Sequence, residues 1–134
     1  MPVTLEAVET MAREYTAAWC SGVAEAVSAF YAEDGAIVIN EGEPCDGRGE
    51  VTTMAQGFMD AFPDLSLHQD SIRSSGTHAV FMWTLTGTNS GPGGTGNNIE
   101  IGGWEYWKLT DDCKVQHSCG HFDAEDFDRQ IAGQ

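Results

Sequence analysis

Basic residues are scarce: the 134-residue chain carries six lysines and arginines against twenty-one aspartates and glutamates, a formal net charge of −15. Such a surface repels phosphate backbones and anionic lipid, so nucleic acid and membrane surfaces are excluded as expected partners. The charge reads as a solvated acidic exterior. Long hydrophobic runs are missing too. Nothing approaches the ~20 apolar residues that span a bilayer, and no basic-then-apolar leader opens the chain, so a soluble, cytoplasmic protein is expected. The four cysteines, Cys20, Cys45, Cys113 and Cys119, include no C-x-x-C pair, and reduced thiols are expected of them. There is no G-x-S-x-G, no H-E-x-x-H and no glycine loop leading from strand to helix, which removes serine-hydrolase, zincin and nucleotide-phosphate readings. The glycines between 91 and 96 link strand to strand and lack the following helix whose amides would hold phosphate.

What remains is a sequence whose apolar periodicity changes once. Leu5, Val8, Ala12, Tyr15 and Trp19 recur at helical spacing, which predicts a helix from Thr4 to Cys20 with Thr4 as N-cap. After Ser21-Gly22 a second helix is expected to carry Val23, Ala26, Val27 and Phe30 inward and to end on Gly35 in the left-handed conformation. Ala36 to Asn40 reads as a short strand. Val51, Met54, Ala55, Phe58 and Phe62 mark a third helix, stopped by Pro63. The period then falls to two. Strands are expected at 65–74, 78–89, 99–109 and 115–122, with a flexible loop at 90–98 and a short helix from Ala124 to Ala132. Helices followed by a strand meander give a single α+β domain over residues 1–134, long enough to bury roughly 65 to 70% of its unfolded surface.

Three phrases, in order, add a resemblance. FYAEDG (Phe30 to Gly35), DGRGE (Asp46 to Glu50) and LTGTNSG (Leu85 to Gly91) together resemble the superfamily of nuclear transport factor two, ketosteroid isomerase and the SnoaL-like polyketide cyclases. The resemblance covers about residues 5 to 131. It implies a cone: a strongly curved antiparallel sheet with N-terminal helices packed on its concave face, around an apolar pocket where any chemistry takes place.

An apolar pocket without metal or nucleotide motifs leaves acid/base chemistry, which needs a carboxyl or imidazole tuned by burial and a donor for developing oxyanion charge. Glu105 lies among Trp104, Tyr106 and Trp107 in the most aromatic stretch of the chain, where burial would raise its pKa; the alternative is an outward Glu on a half-exposed strand. The length of the turn KLTDDCKV registers Glu105 with the isomerase's neutral, oxyanion-binding aspartic acid, an enzyme that serves as a general example of pKa tuning. Counting back from FYAEDG places Tyr15 at its oxyanion tyrosine; Tyr15 could equally be a core tyrosine bonded to backbone or water. Trp19, one turn on, would line the same cavity, together with Met54 and Phe58 from the third helix. Trp83 is either core or cavity wall. The resemblance also turns Phe122 toward the pocket and puts Asn89 where many SnoaL-like sequences carry histidine, although a turn role explains an asparagine equally well.

Two departures matter. The isomerase's general-base aspartate falls at Ile39 or Asn40, and the cyclases' acid/base aspartate falls at Gly120. Asp123 reads more simply as the cap of the last helix, and Asp46 and Arg48 as ties between the third helix and the sheet. His117, Cys119, His121 and Asp123 alternate along the last strand and so share a face; the resemblance sends that face outward, and no metal or other cofactor is expected. Two readings stay open. One is a cofactor-independent cyclase, isomerase or dehydratase acting on a small apolar carbonyl compound through Glu105 and Tyr15. The other is a non-catalytic module of the same fold that binds a small hydrophobic or weakly polar molecule. A homodimer through the outer sheet face is expected in either case, since aromatic residues on both strand parities leave apolar surface uncovered.

Overall fold

The computed structural model describes residues 3–134. Helix α1 (Leu5–Cys20) starts where Thr4 accepts a hydrogen bond from the Ala7 amide, and it buries Val8, Met11, Ala12, Tyr15, Ala18 and Trp19 on one stripe. A short helix α2 (Ala24–Ser28) follows, then strand β1 (Tyr31–Ile39) and the two-residue β2 (Cys45–Asp46). Helix α3 (Gly47–Ala61) ends before Pro63, and Arg48 near its start donates from Nε to the Tyr31 carbonyl at 2.8 Å, tying α3 to the sheet. Strands β3 (Ser66–Ser75), β4 (His78–Thr88), β5 (Asn98–Leu109) and β6 (Val115–Phe122) form the meander, and α4 (Ala124–Ala132) closes the chain. Asp123 caps α4 by accepting from the Asp126 amide.

The six strands form one sheet in the order β2-β1-β6-β5-β4-β3. It is a mixed sheet rather than a wholly antiparallel one, because β1 runs parallel to β6, with Ile37 opposite Ser118 and Ile39 opposite Gly120. The helices take up one face. There α1 packs on β3, α3 on β1, and α4 on β5. The α+β class and the curved sheet covered by N-terminal helices are therefore as expected.

One element departs from the expectation. FYAEDG does not end a helix: α2 stops at Ser28, and residues from Tyr31 onward are extended. Gly35 is needed for contact and not for handedness. A Cβ on it would stand 2.5 Å from the Val115 carbonyl and 3.0 Å from that of Ala32, at the irregularity between the Tyr31 and Ala36 pairings. Substituting Gly35→Ala should destabilise the protein by about 2–3 kcal/mol, because backbone lies on both sides of the added methyl. Thermal unfolding of the variant checks this; an unchanged midpoint would contradict the close approach.

The loop after β4 also differs from a flexible tether. Asn89 is buried and organises it: its side-chain oxygen accepts from the Thr95 amide at 2.9 Å, and its own amide and carbonyl pair with Asn97 and Gly96. The side-chain nitrogen of Asn89 donates to the Ala61 carbonyl at the end of α3. Gly91 donates to the same carbonyl and sits so close that a Cβ would come within 1.9 Å of the Asp60 oxygen.

Candidate active site

Successive residues of β5 alternate faces, and Ile99, Ile101, Glu105, Trp107 and Leu109 are those buried against the helices. Glu105 is 6% exposed. Its Oε1 accepts from Trp107 Nε1 at 2.9 Å and from Ser118 Oγ at 2.8 Å, with the Tyr15 hydroxyl at 3.2 Å and the Tyr31 hydroxyl at 3.5 Å. Its Oε2 has one partner, Tyr15, also at 3.2 Å. The two phenols are 3.1 Å apart, so a chain of donors runs from Tyr31 through Tyr15 to the carboxyl. Among the described residues no Lys or Arg joins this group; Arg13 bonds Thr10 on the exposed side of α1.

The electrostatics follow from that inventory. Burial raises the Glu105 pKa, and the hydrogen bonds from Trp107, Ser118, Tyr15 and Tyr31 oppose it without cancelling it. Burial, and after it the charge of Glu105, holds the Tyr15 phenol well above its usual pKa; Tyr31 is raised likewise, by burial, then Tyr15, then Glu105. Both phenols therefore stay protonated and act as donors. A proton on Glu105 belongs on Oε2, since Oε1 already accepts from the Trp107 indole and the Ser118 hydroxyl whereas Oε2 meets only Tyr15.

Glu105 forms part of the wall of a cavity, open at its mouth, whose lining is apolar apart from this carboxyl and His121. From the helices come Trp19, Met54 and Phe58; from the sheet come Ile37, Ile39, Leu67, Trp83, Leu85 and Ile101; Phe122 and Phe127 stand at the end near α4. Of the residues singled out in the sequence, Glu105, Trp19, Met54, Phe58, Trp83 and Phe122 are brought together here. Tyr15 is not. It is fully buried behind Glu105, with Phe81 and Trp107 edge-on to its ring at 5.7 and 5.3 Å, so it meets the carboxyl and not the cavity. Asn89 also lies outside, because its side chain is spent on the loop and the end of α3.

Tyr31, Trp107 and Ser118 are the donors that sequence reasoning did not assign to Glu105. Ser118 had a usable signal, an inward-facing hydroxyl on the strand beside β5, but only the observed register, Trp107 opposite Ser118 and Glu105 opposite Gly120, shows that it reaches the carboxyl. Gly120 lines the cavity, and a Cβ there would make only ordinary contacts, the nearest at 3.7 Å to Glu105 Cγ. Ile39 lines it as well, so the two positions at which the resemblance would place acid/base aspartates face the cavity without a carboxylate.

The alternating row on β6 divides as parity requires. Ser118 is fully buried, whereas His117 is exposed and Cys119 half-buried on the opposite face. The His121 ring stacks on exposed Trp104 at 5.2 Å between centroids, with Nε2 3.5 Å from Glu41. Among the described residues, no group of three or more His, Cys, Asp or Glu side chains converges as metal ligands. All four cysteines are free, and no helix of the described residues is long and apolar enough to cross a membrane.

A cone-shaped α+β domain with one buried carboxyl in an apolar cavity is the class that fold and site define. Residues 12–117 match the SnoaL-like domain family, and the chain belongs to it. AclR from Streptomyces galilaeus, provisionally a hydroxylase, superposes with a TM-score of 0.82 at 18% identity, covering 98% of this chain and 84% of its own. A protein of ketosteroid isomerase-like fold from Catenulispora acidiphila, solved with trimethylamine, gives 0.81 at 13% identity over 91% of this chain and 92% of that one. A provisionally assigned SnoaL-like polyketide cyclase from a Jannaschia species gives 0.78 at 16% identity over 93% and 94%. At such identities the likeness concerns fold. No curated protein sequence matches the chain significantly.

Proposed function

We propose that the protein is a cofactor-independent acid/base enzyme of the cyclase, isomerase or dehydratase type, acting on a small apolar carbonyl compound held in the cavity. The observation that carries this is the asymmetric bonding of Glu105: Oε1 is held by Trp107 and Ser118, while Oε2 shares only Tyr15. A carboxyl fixed in this way, with its pKa raised by burial, presents one oxygen that keeps its proton to higher pH than an exposed carboxyl does and gives it to a ligand carbonyl as enolate or alkoxide charge develops. Tyr15 acts through Glu105 as a positioning residue. Its hydroxyl, supported by Tyr31, orients the carboxyl and supplies charge relief when the proton leaves. Mass spectrometry of a ligand retained through purification tests the substrate class; a charged or strongly hydrophilic ligand in the cavity would contradict it.

One observation favours a second reading, a binding module without turnover. Ile39 and Gly120 leave Glu105 as the one carboxyl in the cavity wall among the described residues, so a reaction needing both an acid and a separate base has no second carboxylate. Proton transfer out of and back into one carboxyl suffices for an isomerisation or elimination, and turnover assays on the retained ligand separate the readings. A reducing cytoplasmic setting belongs to the same proposal, supported by four free thiols.

The assembly proposed is a homodimer through the outer sheet face. Val80 stands opposite Tyr106, and Met82 opposite Trp104, so four exposed apolar side chains form one patch. The patch carries no acidic side chain of its own, which suits self-pairing in a chain of net charge −15. Light scattering should give about twice the 14.4 kDa chain mass, and Met82→Lys should return it to the monomer. A monomer mass for the wild type would remove this proposal.

A further inference from the structure

The Glu105 carboxyl has two forms, and its surroundings suit a different ligand in each. Protonated on Oε2, it donates to a carbonyl. Ionised, it is a buried anion held by the Trp107 indole, the Ser118 hydroxyl and the phenols of Tyr15 and Tyr31, all of them neutral donors. Among the described residues no Lys or Arg bonds to it. A buried charge without a counter-ion is costly, and a cation that brings its own apolar body into the cavity relieves that cost.

Two features limit which cation fits. Oε2 shares only the Tyr15 hydroxyl, so it has capacity for one further hydrogen bond. The only other polar side chain in the wall is His121, whose ring stacks on Trp104 with Nε2 3.5 Å from Glu41, so a second ligand N–H would be buried without an acceptor. Gly120 supplies the other limit. A Cβ there would meet Glu105 Cγ at 3.7 Å and Ile37 Cδ1 and Ile39 Cγ1 at 3.9 Å, all ordinary contact distances. The glycine therefore leaves a methyl-sized space beside the carboxyl, walled by two isoleucines. Trp19, Phe58, Trp83, Phe122 and Phe127 line the cavity as well, and aromatic walls accept an alkylated cation better than aliphatic ones do.

We propose that the ionised form of this site binds small apolar tertiary amines: the single N–H of the ammonium donates to Glu105 Oε2, and an N-methyl group fills the space at Gly120. A primary ammonium carries two further N–H groups with nothing to accept them, and a quaternary one has no N–H for Oε2. When the ammonium enters, the Glu105 proton leaves to solvent. When the free amine enters, the same proton moves from Oε2 to the amine nitrogen, and the complex is identical. Such an amine has no carbonyl to receive a proton, so it occupies the site as a competitor of the substrate. This rests on the reading of Glu105 as the carboxyl that meets the ligand.

Three compounds built on one cyclohexyl group test this by calorimetry on the full chain between about pH 5 and pH 9, where the amines are protonated in water. They are N,N-dimethylcyclohexylamine, the neutral cyclohexyl methyl ketone of similar shape, and the primary amine 1-cyclohexylethylamine. Affinity for the tertiary amine should rise with pH, by up to about tenfold per unit, until Glu105 is ionised, and affinity for the ketone should fall over the same range, because one ligand expels the proton and the other needs it. Burial raises the Glu105 pKa, so both changes should lie above the ordinary carboxyl range. At the upper end the tertiary amine should bind about tenfold more tightly than the primary one. Glu105→Gln should weaken the tertiary amine there by about a hundredfold and flatten both pH profiles; if that variant does not fold, the opposite slopes in the wild type still decide. His121 is common to both proteins, so the difference between them belongs to Glu105. Ketone binding that falls with pH, beside amine binding indifferent to pH and to Glu105→Gln, would overturn the amine site and leave the reading of Glu105 standing. Equal binding of the two amines would overturn the match to a single N–H. Binding of all three that ignores pH, or no binding of any, would overturn both.

Discussion

Replacing Glu105 by Gln should abolish turnover, by about 10²- to 10⁴-fold, while the protein stays folded. Gln keeps the shape, and its side-chain oxygen still accepts from Trp107 and Ser118, but its amide gives up no proton. Tyr15→Phe should lower the rate and leave some, since it removes a support of the carboxyl and not the transferring atom. The same substitution of Glu105 has a thermodynamic signature whose sign is fixed by the raised pKa. A carboxyl that is harder to ionise in the folded state contributes its full share of stability below its unfolded pKa, and that share is lost as pH rises through the folded value. Wild-type stability should therefore fall more steeply with rising pH, above the ordinary carboxyl range, than that of Glu105→Gln. The other acidic residues are common to both proteins, so the difference between the two curves isolates Glu105. Parallel curves, from chemical denaturation across that range, would show a carboxyl that ionises as it does in water and would end the acid/base proposal.

The second large effect is expected at Trp107. It is fully buried, stacks on Phe81 with centroids 5.0 Å apart, meets Tyr15 edge-on, and donates its indole N–H to Glu105. Trp107→Ala should lower stability by about 3–5 kcal/mol, since a cavity of that size at the centre of the sheet cannot collapse. Trp107→Phe separates packing from polarity. It keeps a ring against Phe81 and Tyr15 but withdraws the donor, so the Glu105 pKa should climb further while most of the stability remains. Carboxyl-detected NMR titration of Glu105 in Trp107→Phe and in Ser118→Ala measures this; a pKa that falls in either variant would contradict the assignment of both groups as donors to Oε1.

How far the sequence carried these conclusions depended on whether a signal was local. The stripe from Leu5 to Trp19 placed α1 and, apart from exposed Leu5, its buried face, because helical periodicity is written within a few turns. Glu105 was singled out by its aromatic neighbours Trp104, Tyr106 and Trp107 and by the length of the turn after them, and the structure puts it on the buried face with Trp107 and Leu109. FYAEDG misled because Ala32, Glu33 and Asp34 suit a helix end, whereas the extended conformation is imposed from far away, by pairing with β6. Tyr31, inside that phrase, was missed as a donor for the same reason. Tyr15 was aimed inward correctly, yet whether an inward tyrosine meets a cavity or a carboxyl depends on depth, which periodicity does not encode. Asn89 shows the converse: its turn role, legible from residue type, is the one the structure displays.

The parallel pairing of β1 with β6 also bears on how the molecule comes into being. Tyr31 is joined to Val115, and Ile37 to Ser118, across more than eighty residues of chain. Loop closure of that length is among the slow events of folding, so the helices and the β3–β4–β5 meander can organise locally while β1 waits for its neighbour. On the ribosome the wait is longer still, because β6 is the last strand made. The donors around Glu105 then arrive in two groups: Trp107 with the meander, and Ser118 and Tyr31 only when the last strand docks. Until that moment Glu105 lacks two of its four donors, and the complete site exists only in a chain that has finished folding.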